Sequence, residues 1–158
     1  MSDLKSQIEN LKSKIRNGLI VSCQAPANSP LSKAEIIAAF AETAVQNGAV
    51  GVRIDSPENI RAVRRIVDVP IIGIYKIISD ESEVYITPTF ESAKQVADSG
   101  ADIIAIDATF RSRPNDEHLA EIVERIHKEL NLPVMADVAT SEEGLNAEKI
   151  GCDLVGTT

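Results

Sequence analysis

The chain has 158 residues, one domain's worth, of which 44% are apolar and 25% charged, values that exclude disorder, collagen and a disulfide scaffold. Aromatics are scarce (2 Tyr, 3 Phe, 0 Trp), so the core must be aliphatic, and Ile and Val suit strands buried on both faces of a parallel sheet. A net charge of −8 argues against nucleic-acid and anionic membrane partners, yet leaves room for a phosphorylated small molecule held by a local cluster of donors.

Leu4, Ile8, Leu11 and Ile15 recur at helical spacing and predict an N-terminal helix within residues 1–17, stopped by Gly18. Residues 19–23 (LIVSC) read as a short buried strand. A helix is expected over about 31–47, with Leu31, Ile36, Ala39, Phe40 and Val45 on or near one face. Residues 49–53 (AVGVR) form the second strand. Pro57 suits the first turn of a helix running to about Val67. Residues 70–75 (PIIGIY) are the third strand, and Thr89 opens a helix that ends near Gly100. Residues 102–107 (DIIAID) are the fourth strand, followed by a helix from Pro114 to about Leu130. Residues 133–137 (PVMAD) are the fifth strand. Ser141 reads as the cap of a helix with Glu142 and Glu143 in its first turn. Residues 153–156 (DLVG) are the sixth strand.

Strand entries repeat. Gly48-Ala49, Gly100-Ala101 and Gly151-Cys152 precede strands at spacings of 52 and 51, and Val69-Pro70 and Leu132-Pro133 are 63 apart. The glycines suit left-handed helix ends and the prolines suit strand starts. Repeated βα units give either a doubly wound sheet or a TIM barrel. No GxGxxG follows the first strand and no GxxxxGK[ST] occurs, so the regular repeat favours the barrel.

A parallel barrel places its active site at the carboxyl ends of its strands. Those ends carry Gln24, Arg53, Lys76, Asp107, Asp137 and Thr157. Lys76 is the sharpest candidate: a partly desolvated amine there can act as a base, form a Schiff base, or grip a phosphate. The fork of Arg53 suits a carboxylate or phosphate, with an ion pair to Asp55 or another barrel-end carboxylate as the alternative. Asp107 and Asp137 could bind sugar hydroxyls or orient Lys76; the competing reading of both is pairing with Arg53, Arg111 or Arg113, above all for Asp107, which sits near the last two. Gln24 can donate and accept. His118 and His127, nine apart, lack metal spacing and are expected on the exposed outer ring. Glu142-Glu143 reads as helix-end charge, and residues 80–83 (DESE) as a solvated loop. Cys23 and Cys152 lack CxxC or zinc spacing and read as reduced thiols in a cytosolic protein. The opening MSDLKSQIEN lacks an apolar run, so no secretory leader is expected, and no apolar stretch is long enough to span a membrane.

Several segments, taken in order, resemble the N-acylglucosamine-6-phosphate (N-acetylmannosamine-6-phosphate) 2-epimerase family of the ribulose-phosphate-binding barrel group. They are 18–24 (GLIVSCQ), 51–53 (GVR), 70–76 (PIIGIYK), 84–89 (VYITPT), 101–109 (ADIIAIDAT), 136–140 (ADVAT) and 151–158 (GCDLVGTT). The resemblance implies a cofactor-independent, metal-free epimerisation of N-acetylmannosamine 6-phosphate to N-acetylglucosamine 6-phosphate in sialic acid catabolism. It implies that Lys76 transfers the C2 proton and that Gln24, Arg53 and Asp137 contact substrate or organise the lysine. Family members run on for about two further βα units, which carry a second catalytic acid and the main phosphate-binding loops. The chain therefore reads as a single, incomplete (β/α)8-type domain over 1–158, truncated after its sixth strand, with open edges at strands one and six. The alternatives are another phosphosugar isomerase or lyase of the group using Lys76, or a catalytically inactive fragment. A cytoplasmic enzyme, possible as a homodimer, is expected.

Overall fold

The computed structural model describes residues 2–157, with side chains from Leu4 onward. Met1 and Thr158, the ends of the expected domain and of its last matching segment, lie outside the described residues. Helix α1 (Ser2–Ile15) precedes β1 (Ile20–Cys23). There follow α2 (Ala34–Gln46), β2 (Gly51–Asp55), α3 (Pro57–Arg64), β3 (Ile71–Ile74), α4 (Phe90–Asp98) and β4 (Ile103–Asp107). The chain continues through α5 (Leu119–Arg125), β5 (Val134–Val138), α6 (Ser141–Lys149) and β6 (Leu154–Thr157). The strands form one parallel sheet in the order β1-β2-β3-β4-β5-β6. Every strand lies beside its successor, as in a barrel; a doubly wound sheet reverses its order part-way.

The period of two along each strand separates two cores. Val52, Ile54, Ile71, Ile104, Ile106 and Val134 face the helices and pack with Ile37, Ile60, Val96 and Ile122. Ile20, Ile72, Ile74, Ile103, Ala105, Met135 and Leu154 face the other way and pack with Leu11 and Ile15 of α1. The second face is concave. Arg53 aligns in register with Ile72, which aligns with Ile103, whereas Asp137 aligns with Asp107. In a flat sheet Arg53 and Asp137 would thus stand about 14 Å apart across three strand spacings and about 13 Å apart along the strands. They form a direct ion pair of 2.6 Å. Only the curl and tilt of barrel strands bring them together. The sheet is thus a curled six-stranded part of a TIM-type barrel, with α1 packed across its inner residues.

The repeated strand entries are alike in backbone as well as in sequence. Gly48, Gly100 and Gly151 have φ of 97°, 97° and 98°, a conformation that ends a helix cheaply only in glycine. At the first helix the left-handed residue is Asn17 (φ 57°), one before the expected Gly18.

Other local expectations need correction. The segment 31–47 opens with a 3₁₀ turn, Pro30–Ser32, and only then becomes helical. Its buried face is Ile37, Ala38 and Ala41; Leu31 and Phe40 are exposed. A helix apolar nearly all round does not announce its inner face, and small alanines win where the helix meets the strands. Helix α3 stops at Arg64 instead of Val67, because the Arg64 guanidinium folds back to donate to the carbonyls of Val67 and Val69 at 2.7 and 2.9 Å. The expected helix from Pro114 breaks at Asn115 and Asp116, both at positive φ, then resumes at Leu119 and ends in a wide π turn over Ile126–Leu130. Thr140, not Ser141, caps α6. Strands β2 and β5 run on past Arg53 and Asp137, expected as their last residues, to Asp55 and Val138.

Candidate active site

The concave face ends in polar residues at the carboxyl ends of the strands. Arg53, Asp55, Asp107 and Asp137 share the inward alternation of the strands, and Gln24 and Lys76 continue it beyond β1 and β3. Thr157 does not: Leu154 and Gly156 point inward, so Thr157 lies with Val155 on the helix side. Five of the six expected strand-end residues therefore share one face, and Thr157 drops out of it.

Two interactions organise this end. Arg53 donates two parallel hydrogen bonds to Asp137, Nη1 to Oδ1 at 2.9 Å and Nη2 to Oδ2 at 2.6 Å. The carboxylate side chain is only 4% exposed and the guanidinium 17%, so each buried charge has its counter-charge and a fixed plane. The ion pair weighed for Arg53 in the sequence therefore forms, with Asp137 as its partner. Beside it the Lys76 amine donates to Gln24 Oε1 at 2.6 Å, and Gln24 Nε2 donates to Ser22 Oγ at 2.6 Å. Lys76 is solvent-exposed, not partly desolvated as expected.

The backbone of Lys76 is held more firmly than its side chain. Its amide donates to Asp55 Oδ1 at 3.0 Å. The loop after β3 folds back as a second brace: Thr87 N donates to Tyr75 O at 2.8 Å, Ile77 N to Tyr85 O at 2.9 Å, and Tyr75 N to Thr87 Oγ1 at 3.1 Å. Asp107 N donates to Ile86 O at 3.1 Å, which ties the same loop to β4. Sequence reasoning missed Asp55 as a partner of this lysine, and missed Thr87, which is fully buried at φ 45°. Residues 84–89 carried the resemblance, but their bracing role needs a contact across the sheet.

Asp107 points inward but is taken up locally. Its Oδ1 accepts from Thr109 N at 2.9 Å and from Thr109 Oγ1 at 2.7 Å, and Arg111 lies 3.9 Å away. Arg113, buried, donates to Pro88 O at 3.0 Å and to the Asp107 carbonyl. Burial pulls the Arg113 pKa down, while Asp107 and Glu117 oppose that shift. The competing reading of Asp107 as an arginine-paired residue is the one that fits. Burial pushes the Asp55 carboxyl above its usual range, opposed by the Lys76 amide hydrogen bond and the Lys76 charge. Burial also raises both thiols, Cys152 to about 12, so neither is a ready nucleophile. His118 is exposed ahead of α5, as expected. His127 is not: it is part-buried at the opposite end of the sheet, 2.9 Å from Asp153.

This arrangement offers a base or acid (the Lys76 amine), a neutral amide and a fixed guanidinium–carboxylate pair within one concave surface. The family described as "Putative N-acetylmannosamine-6-phosphate epimerase" matches residues 37–158. The chain belongs to this family. A relative from Thermosynechococcus vestitus, named "Putative N-acetylmannosamine-6-phosphate 2-epimerase", is 57% identical over 149 residues, 94% of this chain and 64% of the relative. One of the same name from Synechococcus elongatus is 53% identical over 146 residues, 92% of this chain and 63% of the relative. Among solved structures, the N-acetylmannosamine-6-phosphate 2-epimerase from Clostridium perfringens superposes with a TM-score of 0.87 at 39% identity, over 90% of this chain and 62% of that one. A thiamine phosphate pyrophosphorylase from Pyrococcus furiosus, at TM-score 0.59 and 19% identity, shares the fold. The chain spans less than two thirds of the length of the curated relatives it matches.

Proposed function

We propose that these residues serve the epimerisation of N-acetylmannosamine 6-phosphate to N-acetylglucosamine 6-phosphate, in the cytoplasmic breakdown of sialic acids. The observation that carries this reading is the Lys76 amine, presented at the carboxyl end of the sheet 2.6 Å from Gln24 Oε1 in a chain of this family. In the open-chain sugar the C1 aldehyde acidifies the C2 proton. The Lys76 amine removes it, giving an enediolate whose charge falls on O1. A proton then returns to the opposite face of C2, which inverts that centre and leaves the N-acetyl group in place. Inversion needs a second proton donor on that face, or a turn of the intermediate between the two transfers. Gln24 steers the lysine and can bond a sugar hydroxyl or the acetamido group. The fixed Arg53–Asp137 pair presents a donor edge to developing negative charge, a contribution of about 3 kcal/mol in comparable sites. A homodimer completes the proposal.

The test is exchange of the C2 hydrogen of N-acetylmannosamine 6-phosphate in deuterated water, followed by proton NMR. It is run with this chain and with one lengthened to the full extent of the relatives. At least the longer chain should exchange C2, and Lys76→Gln should slow that exchange about 1000-fold. Absence of exchange in both chains would refute the epimerase reading.

A further inference from the structure

Strand β2 ends one residue too soon for its neighbour. Along the β2–β3 ladder Val52 N donates to Pro70 O and Ser56 N to Ile74 O. One further step of a parallel ladder would give the Lys76 amide the carbonyl of Ser56. That carbonyl is turned away, because Ser56 adopts φ 78° and ψ 144° ahead of Pro57. This conformation is costly for any residue with a Cβ, and unusual before proline, and such strain persists only where the surroundings enforce it. The Asp55 carboxylate fills the gap, accepting from Lys76 N at 3.0 Å. Asp55 is itself anchored, since Asn59 Nδ2 donates to its carbonyl at 2.9 Å. A group that is part-buried and that burial makes costly to ionise thus spends a hydrogen bond on one backbone amide.

We infer that Asp55 is the positioning residue for Lys76: its side chain replaces the lost ladder acceptor and fixes where the lysine leaves the sheet. The inference rests on the reading of Lys76 as the proton-transfer group. Asp55 acts through the lysine's backbone, by the contact to its amide. Because the loop brace holds Tyr75 and Ile77 from the other side, the amide of residue 76 is the point at which β2 sets the direction of the amine. An oxygen acceptor, not a charge, is what that position requires.

Asp55→Ala and Asp55→Asn separate the two. Amide hydrogen exchange is read at Lys76 and at Ile74 in the wild type and both variants, alongside kcat and KM on N-acetylmannosamine 6-phosphate. Asp55→Ala should speed exchange at Lys76 about tenfold and leave Ile74 unchanged. It should lower kcat about 100-fold with KM within twofold. Asp55→Asn, which keeps an oxygen acceptor, should restore both the amide protection and most of kcat. Unchanged protection of Lys76 in Asp55→Ala, or equal losses in the alanine and asparagine variants, would overturn the inference. So would loss of protection with kcat intact. The kinetics are read in the chain, this one or the lengthened one, that turns over substrate; if neither does, the epimerase reading fails while the exchange data still decide whether Asp55 holds Lys76.

Discussion

Glu143 is a carboxylate whose value lies in the amides around it. Its Oε2 accepts from Ala139 N and Thr140 N at 2.9 and 3.0 Å, and its Oε1 from Phe110 N at 3.3 Å. Thr140 Oγ1 accepts in return from Glu143 N, completing a capping box. The hydrogen bond from Ala139, then those from Phe110 and Thr140, hold its pKa below the ordinary 4.5. Since the folded value is depressed, ionised Glu143 stabilises the fold above the unfolded value, and that stability is lost as pH falls through the lower folded value. Glu143→Gln puts an amide NH2 against backbone donors. Its melting temperature should fall below the wild type's at pH 6, with the gap closing as pH drops below about 4.5. A gap constant down to pH 3 would contradict this. The Thr-x-x-Glu spacing was legible in the sequence, but the pair Glu142-Glu143 read as helix-end charge behind a Ser141 cap. The amide of Phe110, on the loop after β4, reaches Glu143 only once the sheet is assembled. Arg53 and Asp137 are the same case: each was legible as an inward polar residue, and the curl alone makes them a pair.

At the scale of elements, two aspartates do one job twice. Asp102 Oδ2 accepts from Ile71 N at 2.8 Å and from Arg64 Nη1 at 2.8 Å. Asp153 Oδ2 accepts from Val134 N at 2.8 Å and from His127 Nε2 at 2.9 Å. Each follows a Gly-Ala or Gly-Cys entry, and each ties the start of the preceding strand to the helical segment after that strand's predecessor. The repeat of strand entries in the sequence was therefore the trace of a repeated latch. What it did not reveal was the side-chain partner, because Arg64 and His127 differ in type and sit at different distances from the helix end. That is why His127 read as an outer-ring residue. Asp102→Ala strips an acceptor from a strand amide and a guanidinium together. It should cost about 2 kcal/mol in urea unfolding, while Asp102→Asn, keeping one acceptor, should cost less. Equal stability of both variants with the wild type would show that the latch contributes nothing. The broken helix before β5 is the region least legible of all. Its breakpoint is set by left-handed Asn115 and Asp116, which leave no periodic signature in the sequence.

For the whole molecule, the decisive quantity is how far the sheet closes. Among the described residues β1 pairs only with β2, and β6 only with β5. The amides of Ile104 and Ala108 take the Pro133 and Asp137 carbonyls on the β4 side, so the β5–β6 register directs the amides of Leu154 and Gly156 toward β5 and those of Val155 and Thr157 to the outer edge. An unblunted edge of this kind is a template for another strand. Val155 is 48% exposed on the helix side and gives that edge an apolar flank. The alternating strands and helices, and the count of six, were legible because Ile and Val runs alternate with glycine and proline stops. The consequence of open edges follows from topology and not from any one residue. The 158-residue chain should therefore associate as its concentration rises, with sedimentation velocity showing larger species across the micromolar range. Val155→Lys places a charge beside the edge without touching the inward residues Leu154 and Gly156. It should hold the chain monomeric at the same concentrations and leave the melting temperature within a few degrees. A wild-type chain that sediments as a monomer throughout would mean that these edges are not used for pairing.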